Sequence, residues 1–247
     1  MRSTLRFYAE LNDFLPPARR QAAFERSLMG PTAVKDLIEG VGVPHTEVDL
    51  VLVNGQSVDF SYRVKDGDHV SVYPVFESVD IASITRVRPD PLRELRFVLD
   101  GHLGRLAAYL RLAGFDASYQ HDLDDHELAE LASAHGRVLL TRDQALLKRR
   151  AITRGYWVRA TQPRQQLREV IDRFDLKDRL EPFRRCLRCN ATLAAVPKAE
   201  VLDALPPRTR ANYDEFYRCA GCGRVYWKGA HFSALTHIVA SILPGRR

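Results

Sequence analysis

The chain has 247 residues, 45% hydrophobic and 28% charged, with a formal net charge of +6. That is room for one large domain or two to three small ones, with the make-up of a folded globular protein rather than a disordered or fibrous one. No run of 18 apolar residues occurs and the opening MRSTLRFYAE lacks the apolar core of a secretory signal, so a cytosolic protein with no membrane partner is expected.

The charge is unevenly spread. Residues 1–80 hold 8 basic and 12 acidic side chains, residues 81–247 hold 29 basic and 19 acidic. A basic second part suits a partner rich in phosphate, since cation contacts to a nucleic-acid backbone release counterions. Many basic proteins bind no nucleic acid, so charge alone does not choose.

Residues 4–9 read as a strand and 33–40 as a short helix with Val34, Leu37 and Ile38 on one face. A strand over 49–53 closes on Asn54-Gly55, a hairpin turn signal. Residues 58–64 alternate as a strand, Asp66-Gly67-Asp68 turns, and Val70, Val72 and Val75 alternate as a last strand. Strands around one helix in this order predict a β-grasp, ubiquitin-like α+β domain over 1–80. Residues 81–94, IASITRVRPDPLRE, carry two prolines and no clear period, and read as a linker.

From Phe97 the pattern changes. Phe97, Val98 and Leu99 form an apolar strand ending in Asp100. Leu103, Leu106, Ala107 and Leu110 then recur at helical spacing, with Gly114 as a C-terminal cap. Arg105 and Arg111 fall between the stripe positions and are candidates to face a phosphate backbone. A strand over 115–119 follows, then a helix opening at Asp124 or Asp125 with Leu128, Leu131 and Ala132 inward. A strand over 137–141 leads to Asp143. This alternation predicts an α/β domain over 95–180 with a mostly parallel sheet.

Carboxylates beyond the carboxyl ends of such strands stand where ligands bind in open α/β sheets, and hard oxygen donors suit Mg²⁺ or Mn²⁺. Asp100, Asp125 and Asp143, with Asp124 and Glu127 adjacent, are therefore candidates for a metal-dependent catalytic centre. A structural reading competes: Asp124 with Glu127 has the spacing of a capping box, and Asp143 has the place of a cap for residues 144–150. Asp100 is harder to explain that way, because a charge at the end of a buried strand needs a partner.

Between residues 142 and 190 lie 14 basic and 6 acidic side chains. Lys148-Arg149-Arg150 and Arg142 are candidates to contact a nucleic-acid phosphate backbone. A strand is expected over 156–161 and then a helix with Leu167, Val170, Ile171 and Phe174 inward. Its other face carries Arg164, Arg168 and Arg173, either a solvated face or one wall of a groove. The four cysteines, Cys186, Cys189, Cys219 and Cys222, are spaced C-x2-C-x29-C-x2-C. Four thiolates in two such turns make a closed structural Zn²⁺ site, here a ribbon over 181–235. Disulfides are the competing reading, disfavoured in the cytosol. Residues 198–204 look helical. Tyr226, Trp227, Lys228 and His231 offer groups that stack on bases or pack on the ribbon, with His231 read as a surface or packing residue. Residues 236–247, ending Arg246-Arg247, read as a tail.

Two stretches resemble known families. VNGQSVDFSYRVKDGDHVSVYPVFE resembles the sulfur-carrier branch of the β-grasp fold. Those carriers act through a C-terminal Gly-Gly, and here the chain runs on through Val75 to Val79 without one, so an interaction or scaffold role with a protein partner is expected instead. LDGHLGRLAAYLRLAGFD, DDHELAELA, GRVLLTRD and the cysteines through YWKGAH resemble the Mut-seven C-terminal RNase family, PIN-like nucleases in which a β-grasp companion is usual at the N-terminus. The resemblance implies a metal-dependent ribonuclease: Asp100 matches the first metal-binding aspartate, Asp125 the mid-domain acid, and Asp143 the aspartate of TRD. Thr141 and Arg142 stand as supporting residues. Many relatives carry a further aspartate where this chain has Ala145. The alternative is a non-catalytic RNA-binding or scaffold protein using the ribbon, the basic face and the β-grasp domain.

Overall fold

The computed structural model describes residues 1–74, 81, 83–88, 94–230 and 232–241. Strands in the first stretch are β1 (Arg2–Phe7), β2 (Phe24–Ser27), β3 (Thr32–Ala33), β4 (Val48–Val53), β5 (Gln56–Ser57), β6 (Arg63–Val64) and β7 (His69–Pro74), with helix α1 (Val34–Gly40) between β3 and β4. Then come β8 (Phe97–Leu99), α2 (Gly104–Leu112), β9 (Ala117–Tyr119), α3 (Asp125–Ala134), β10 (Val138–Thr141), β11 (Gly155–Trp157) and α4 (Pro163–Arg173). The last are β12 (Leu193–Val196), α5 (Pro207–Asn212), β13 (Phe216–Cys219), β14 (Val225–Tyr226) and α6 (Phe232–Ala240). By contacts these form two units: Met1–Glu94 with Asp125–Trp157, and Leu95–Asp124 with Val158–Arg247.

In the first unit β1, β2, β4, β5 and β7 form one sheet in the order β2-β1-β7-β4-β5. The pair β1–β7 is parallel and the others antiparallel. That order, with one helix crossing one face, is the β-grasp fold. Its core joins Leu5 and Phe7 of β1, Leu37 and Ile38 of α1, Val51 of β4 and Val72 of β7. Helix α1 has no side-chain cap; its first amides bond instead to the carbonyls of Tyr62 (2.8 Å) and Phe60 (3.3 Å). This is why the strand expected over 58–64 is absent apart from the two residues of β6. Val58, Phe60 and Tyr62 do pack on the core, so the alternation reports burial, but the backbone that a ladder needs is spent on capping. The last residue of the expected strand, Val75, and the stretch to Val79 lie outside the described residues.

The same unit contains α3, β10 and β11, and β10 and β11 are parallel with Leu139 opposite Gly155. Helix α3 buries Leu128, Ala129 and Ala132, so Ala129 stands where Leu131 was expected. Residues 146–157 are tied to the β-grasp domain by buried polar groups. Thr46 Oγ1 donates to Leu147 O (3.0 Å), His45 Nε2 meets Ile152 O (3.0 Å), and the Trp157 amide donates to Glu47 Oε1 (2.5 Å). Arg88, in the stretch expected as a linker, is 8% exposed. It donates to Val48 O and Thr153 O, each at 2.9 Å, and to Thr46 O, and faces Asp49 at 3.0 Å.

In the second unit β8 and β9 are parallel, Phe97 opposite Ala117, and α2 packs on α4. Gly114 ends α2 at φ 102°, the left-handed conformation glycine supplies without cost. Strands β12, β13 and β14 form an antiparallel ribbon over a small core of Val201, Leu205 and Phe216. Residues 198–204 form two 3-10 turns, Lys198–Glu200 and Leu202–Ala204, not a helix. Residues 236–240, expected as tail, continue α6, where Ile238 and Val239 are buried. His231 and residues 242–247, with Arg246 and Arg247, lie outside the described residues. No helix among the described residues is long and apolar enough to cross a membrane.

Candidate functional site

The acidic candidates stand where strands end and helices begin. Asp100 follows β8 directly, in extended conformation (φ −61°, ψ 152°) ahead of a 3-10 turn, and is half-buried. Asp125 is the first residue of α3; Asp124 precedes it, Glu127 lies one turn in, and all three are exposed. Asp143 lies two residues past β10. Its amide donates to Thr141 Oγ1 (2.9 Å) and its Oδ1 accepts from the Ala145 amide (2.7 Å). That tight turn carries Asp143 outward, and its capping partner is Ala145, not a longer helix: the expected helix over 144–150 is a 3-10 turn, Leu146–Lys148.

The cationic candidates divide. Arg105, Arg142 and Arg150 are exposed. Arg149 Nη2 pairs with Asp125 Oδ2 at 3.0 Å, both about half exposed, so one expected RNA contact holds one expected metal ligand. Lys148 is half-buried and its Nζ lies 3.4 Å from Glu39 O. Arg111 does not face a groove. It is 4% exposed, and its guanidinium donates to Ala117 O (2.8 Å), Leu187 O (3.0 Å) and Arg188 O (2.8 Å). Arg111 sits one residue past Leu110 of the stripe, close enough to the packed face for its fork to turn inward and collect those carbonyls.

The four cysteines come together. Their sulfurs all lie within 4.8 Å of one another, with Cys186–Cys222 at 3.7 Å and Cys189–Cys219 at 3.3 Å. They are free thiols, too far apart for S–S bonds. Tetrahedral Zn–S bonds of about 2.3 Å set sulfurs about 3.8 Å apart, and the cluster fits that spacing. Each turn is built alike. Amides point at the first sulfur of each pair, Cys189 N to Cys186 Sγ (3.5 Å), and Gly221 N and Cys222 N to Cys219 Sγ (3.4 Å each). The residue after each second cysteine is left-handed, Asn190 at φ 71° and Gly223 at φ 70°. The Tyr226 hydroxyl lies 3.0 Å from Cys186 Sγ. Burial opposes ionisation of Cys186, but that hydroxyl and the Cys189 and Arg188 amides outweigh it and bring the thiol to about 6. Burial and the same sulfur push the Tyr226 phenol up. Against a hydrogen bond from the Ala191 amide, burial and the Cys219, Cys222 and Cys186 sulfurs push the Cys189 thiol the other way, to about 12.

Asn190 is a residue that sequence reasoning passed over. Beyond its turn conformation, its Nδ2 donates to Asp116 Oδ1 (2.7 Å) and its Oδ1 accepts from the Ala117 amide (3.0 Å). With Arg111 it fastens the first cysteine turn to α2 and β9. An asparagine immediately after C-x-x-C, where the second pair has glycine, was the available signal.

Residues 95–239 match the family model described as the Mut7-C RNAse domain, and residues 1–80 match that described as Mut7-C ubiquitin. No curated protein matches the chain. Among solved structures, the crystal structure of SAMP1 from Haloferax volcanii is similar over 32% of this chain and 100% of its own, at 16% identity and a TM-score of 0.26.

Proposed function

The chain belongs to the Mut7-C RNase family, and from that premise we propose that it hydrolyses RNA phosphodiesters at a metal-dependent centre. The observation that carries the reading is the family match across residues 95–239 together with Asp100, directly past the carboxyl end of one parallel strand, and Asp143, two residues past the end of another. Asp100, Asp125 and Asp143 would hold Mg²⁺ or Mn²⁺, with Asp124 and Glu127 in reserve; their oxygens are the hard donors those ions take. Such an ion supplies a more acidic bound water and offsets charge on the phosphate. The chain's own residues do the positioning. Thr141, fully buried, fixes the Asp143 turn through its hydroxyl, Arg149 orients the Asp125 carboxylate, and Arg142, Arg105, Lys148 and Arg150 are the cations for the phosphate backbone.

Four free thiols with zinc spacing support a structural Zn²⁺ and a reducing, cytosolic workplace. The ubiquitin-like domain over 1–80 is read as the surface for a protein partner, ahead of the nuclease over 95–180 and the ribbon over 181–235. A binding-only reading has two observations in its favour: Asp125 is already paired with Arg149, and Ala145 supplies no further acid.

The test is cleavage of a mixture of single-stranded and structured RNA with added Mn²⁺, wild type beside Asp100→Asn and Asp143→Asn, zinc content measured throughout. The expected result is a loss of roughly a hundredfold or more in each variant with zinc unchanged. Wild-type cleavage by Asp143→Asn would sink the assignment. Binding without cleavage by wild type would leave the binding-only reading.

A further inference from the structure

The ribbon half of the chain contains a cavity of about 1060 Å³ walled by residues between Leu112 and Leu235, at the upper end of sizes usual for ligand sites. Tyr213, Tyr217 and Trp227 line it, and among its lining residues none carries a carboxylate. Five of them are cationic, and three of these are occupied. Arg184 pairs with Glu181 at 2.5 Å, Lys228 pairs with Glu215 at 2.6 Å, and Arg185 donates to Gly114 O and Asn190 O. The other two, Arg208 and Arg224, are exposed, and among the described residues their guanidinium groups have no hydrogen-bond or ion-pair partner. Tyr213 and Trp227 also rest on the ribbon core, and Gly229 leaves no room for a side chain against the indole, since a Cβ there would come within 2.6 Å of Trp227 Nε1. These rings are held in place before any ligand arrives, so little ordering cost remains for binding.

Aromatic faces beside uncompensated cations match the repeating unit of a single-stranded nucleic acid, an apolar base joined to an anionic phosphate. An apolar peptide would leave both arginines without partners. A duplex would keep its bases stacked away from the rings. We infer that this cavity binds single-stranded RNA, with unpaired bases on Tyr213, Tyr217 and Trp227 and flanking phosphates on Arg208 and Arg224. This rests on the reading of RNA as substrate and adds a second set of residues that grips it, none of them among the acids that would cut.

The test is fluorescence anisotropy of a labelled single-stranded RNA of about ten nucleotides on the full chain, without added divalent metal so that no cleavage intervenes, over a series of salt concentrations. Replacing both arginines, Arg208→Gln with Arg224→Gln, is expected to weaken binding and flatten the log–log salt slope by about 1.4, the share of two phosphate contacts to a single strand. Trp227→Ala is expected to weaken binding between about fivefold and a hundredfold with the slope unchanged, as lost stacking does. Zinc content checks that the ribbon is intact; should Trp227→Ala lose its zinc, the double arginine variant, altered only at exposed side chains, carries the test. An unchanged slope and affinity in the double variant, or equal affinity of the wild type for duplex RNA, overturns the inference. The two proposals fail separately. If Asp143→Asn binds but does not cut while the double variant binds like wild type, the nuclease reading stands and this one falls. If nothing cuts but the double variant loses binding, the reverse holds.

Discussion

Three carbonyl oxygens end on the Arg111 guanidinium, and two of them belong to the turn that carries Cys186 and Cys189. Burial lowers its pKa from the usual arginine value, and the neighbouring Cys186 and Cys189 act in the opposite direction. Arg111→Met keeps the bulk but leaves those acceptors bare, which should cost about 3 kcal/mol on unfolding and speed zinc release to a chromogenic chelator with every sulfur ligand still present. Arg111→Lys should recover only part of this, since an ammonium cannot span the fork; full recovery would mean that charge alone is needed. A second buried pair gives a pH dependence. His45 Nδ1 lies 2.6 Å from Glu39 Oε1 and Nε2 lies 3.0 Å from Ile152 O. Burial raises the Glu39 pKa, but its hydrogen bond and charge interaction with His45 outweigh that and leave it below 4.5. A folded-state value below the unfolded one means stability that is full above pH 4.5 and is lost as pH falls through the folded value. The gap in urea stability between wild type and Glu39→Gln should therefore be constant near neutrality and shrink in acid. A gap that widens in acid would remove Glu39 as the source.

Helix α2 stops where the chain has no other choice. At Gly114 a Cβ would lie 2.3 Å from Glu181 O, and φ is 102°. Gly114→Ala meets both a steric and a conformational penalty and should cost at least about 2 kcal/mol, read as a lower urea midpoint at an unchanged slope; an alanine variant of wild-type stability would show that the segment around Glu181 can shift aside. The stripe of α2 and the C-x2-C pairs were legible in the sequence because each depends only on local spacing: one face toward the core, or four sulfurs around one ion. Residues 58–64 misled because their alternation came from packing while their carbonyls served a helix elsewhere in the chain. Helix α6 was legible but unread, for Leu235, Ile238 and Val239 repeat at helical spacing. The inward turn of Arg111 and the Arg149–Asp125 pair could not be read, since each partner is fixed only once segments distant in sequence have packed. Of the site, residue types and strand-end positions were visible; which cations were already committed was not.

The whole chain combines two matched families, the ubiquitin-like one over residues 1–80 and the RNase one over 95–239, yet its first compact unit takes its residues from both. The groups that bind this unit together are buried and polar, and His45, Thr46, Glu47 and Arg88 on one side find partners at Leu147, Ile152, Thr153 and Trp157 on the other. Polar groups of that kind must be satisfied by protein or by water. Synthesis runs in one direction, and His45 is made 107 residues before the carbonyl it meets. At the usual pace of translation, about 5–20 residues per second, the newborn ubiquitin-like domain waits roughly 5 to 20 seconds with that surface wetted. A ribosome that pauses in this interval leaves the nascent chain holding a hydrated polar seam that only the later segment can close.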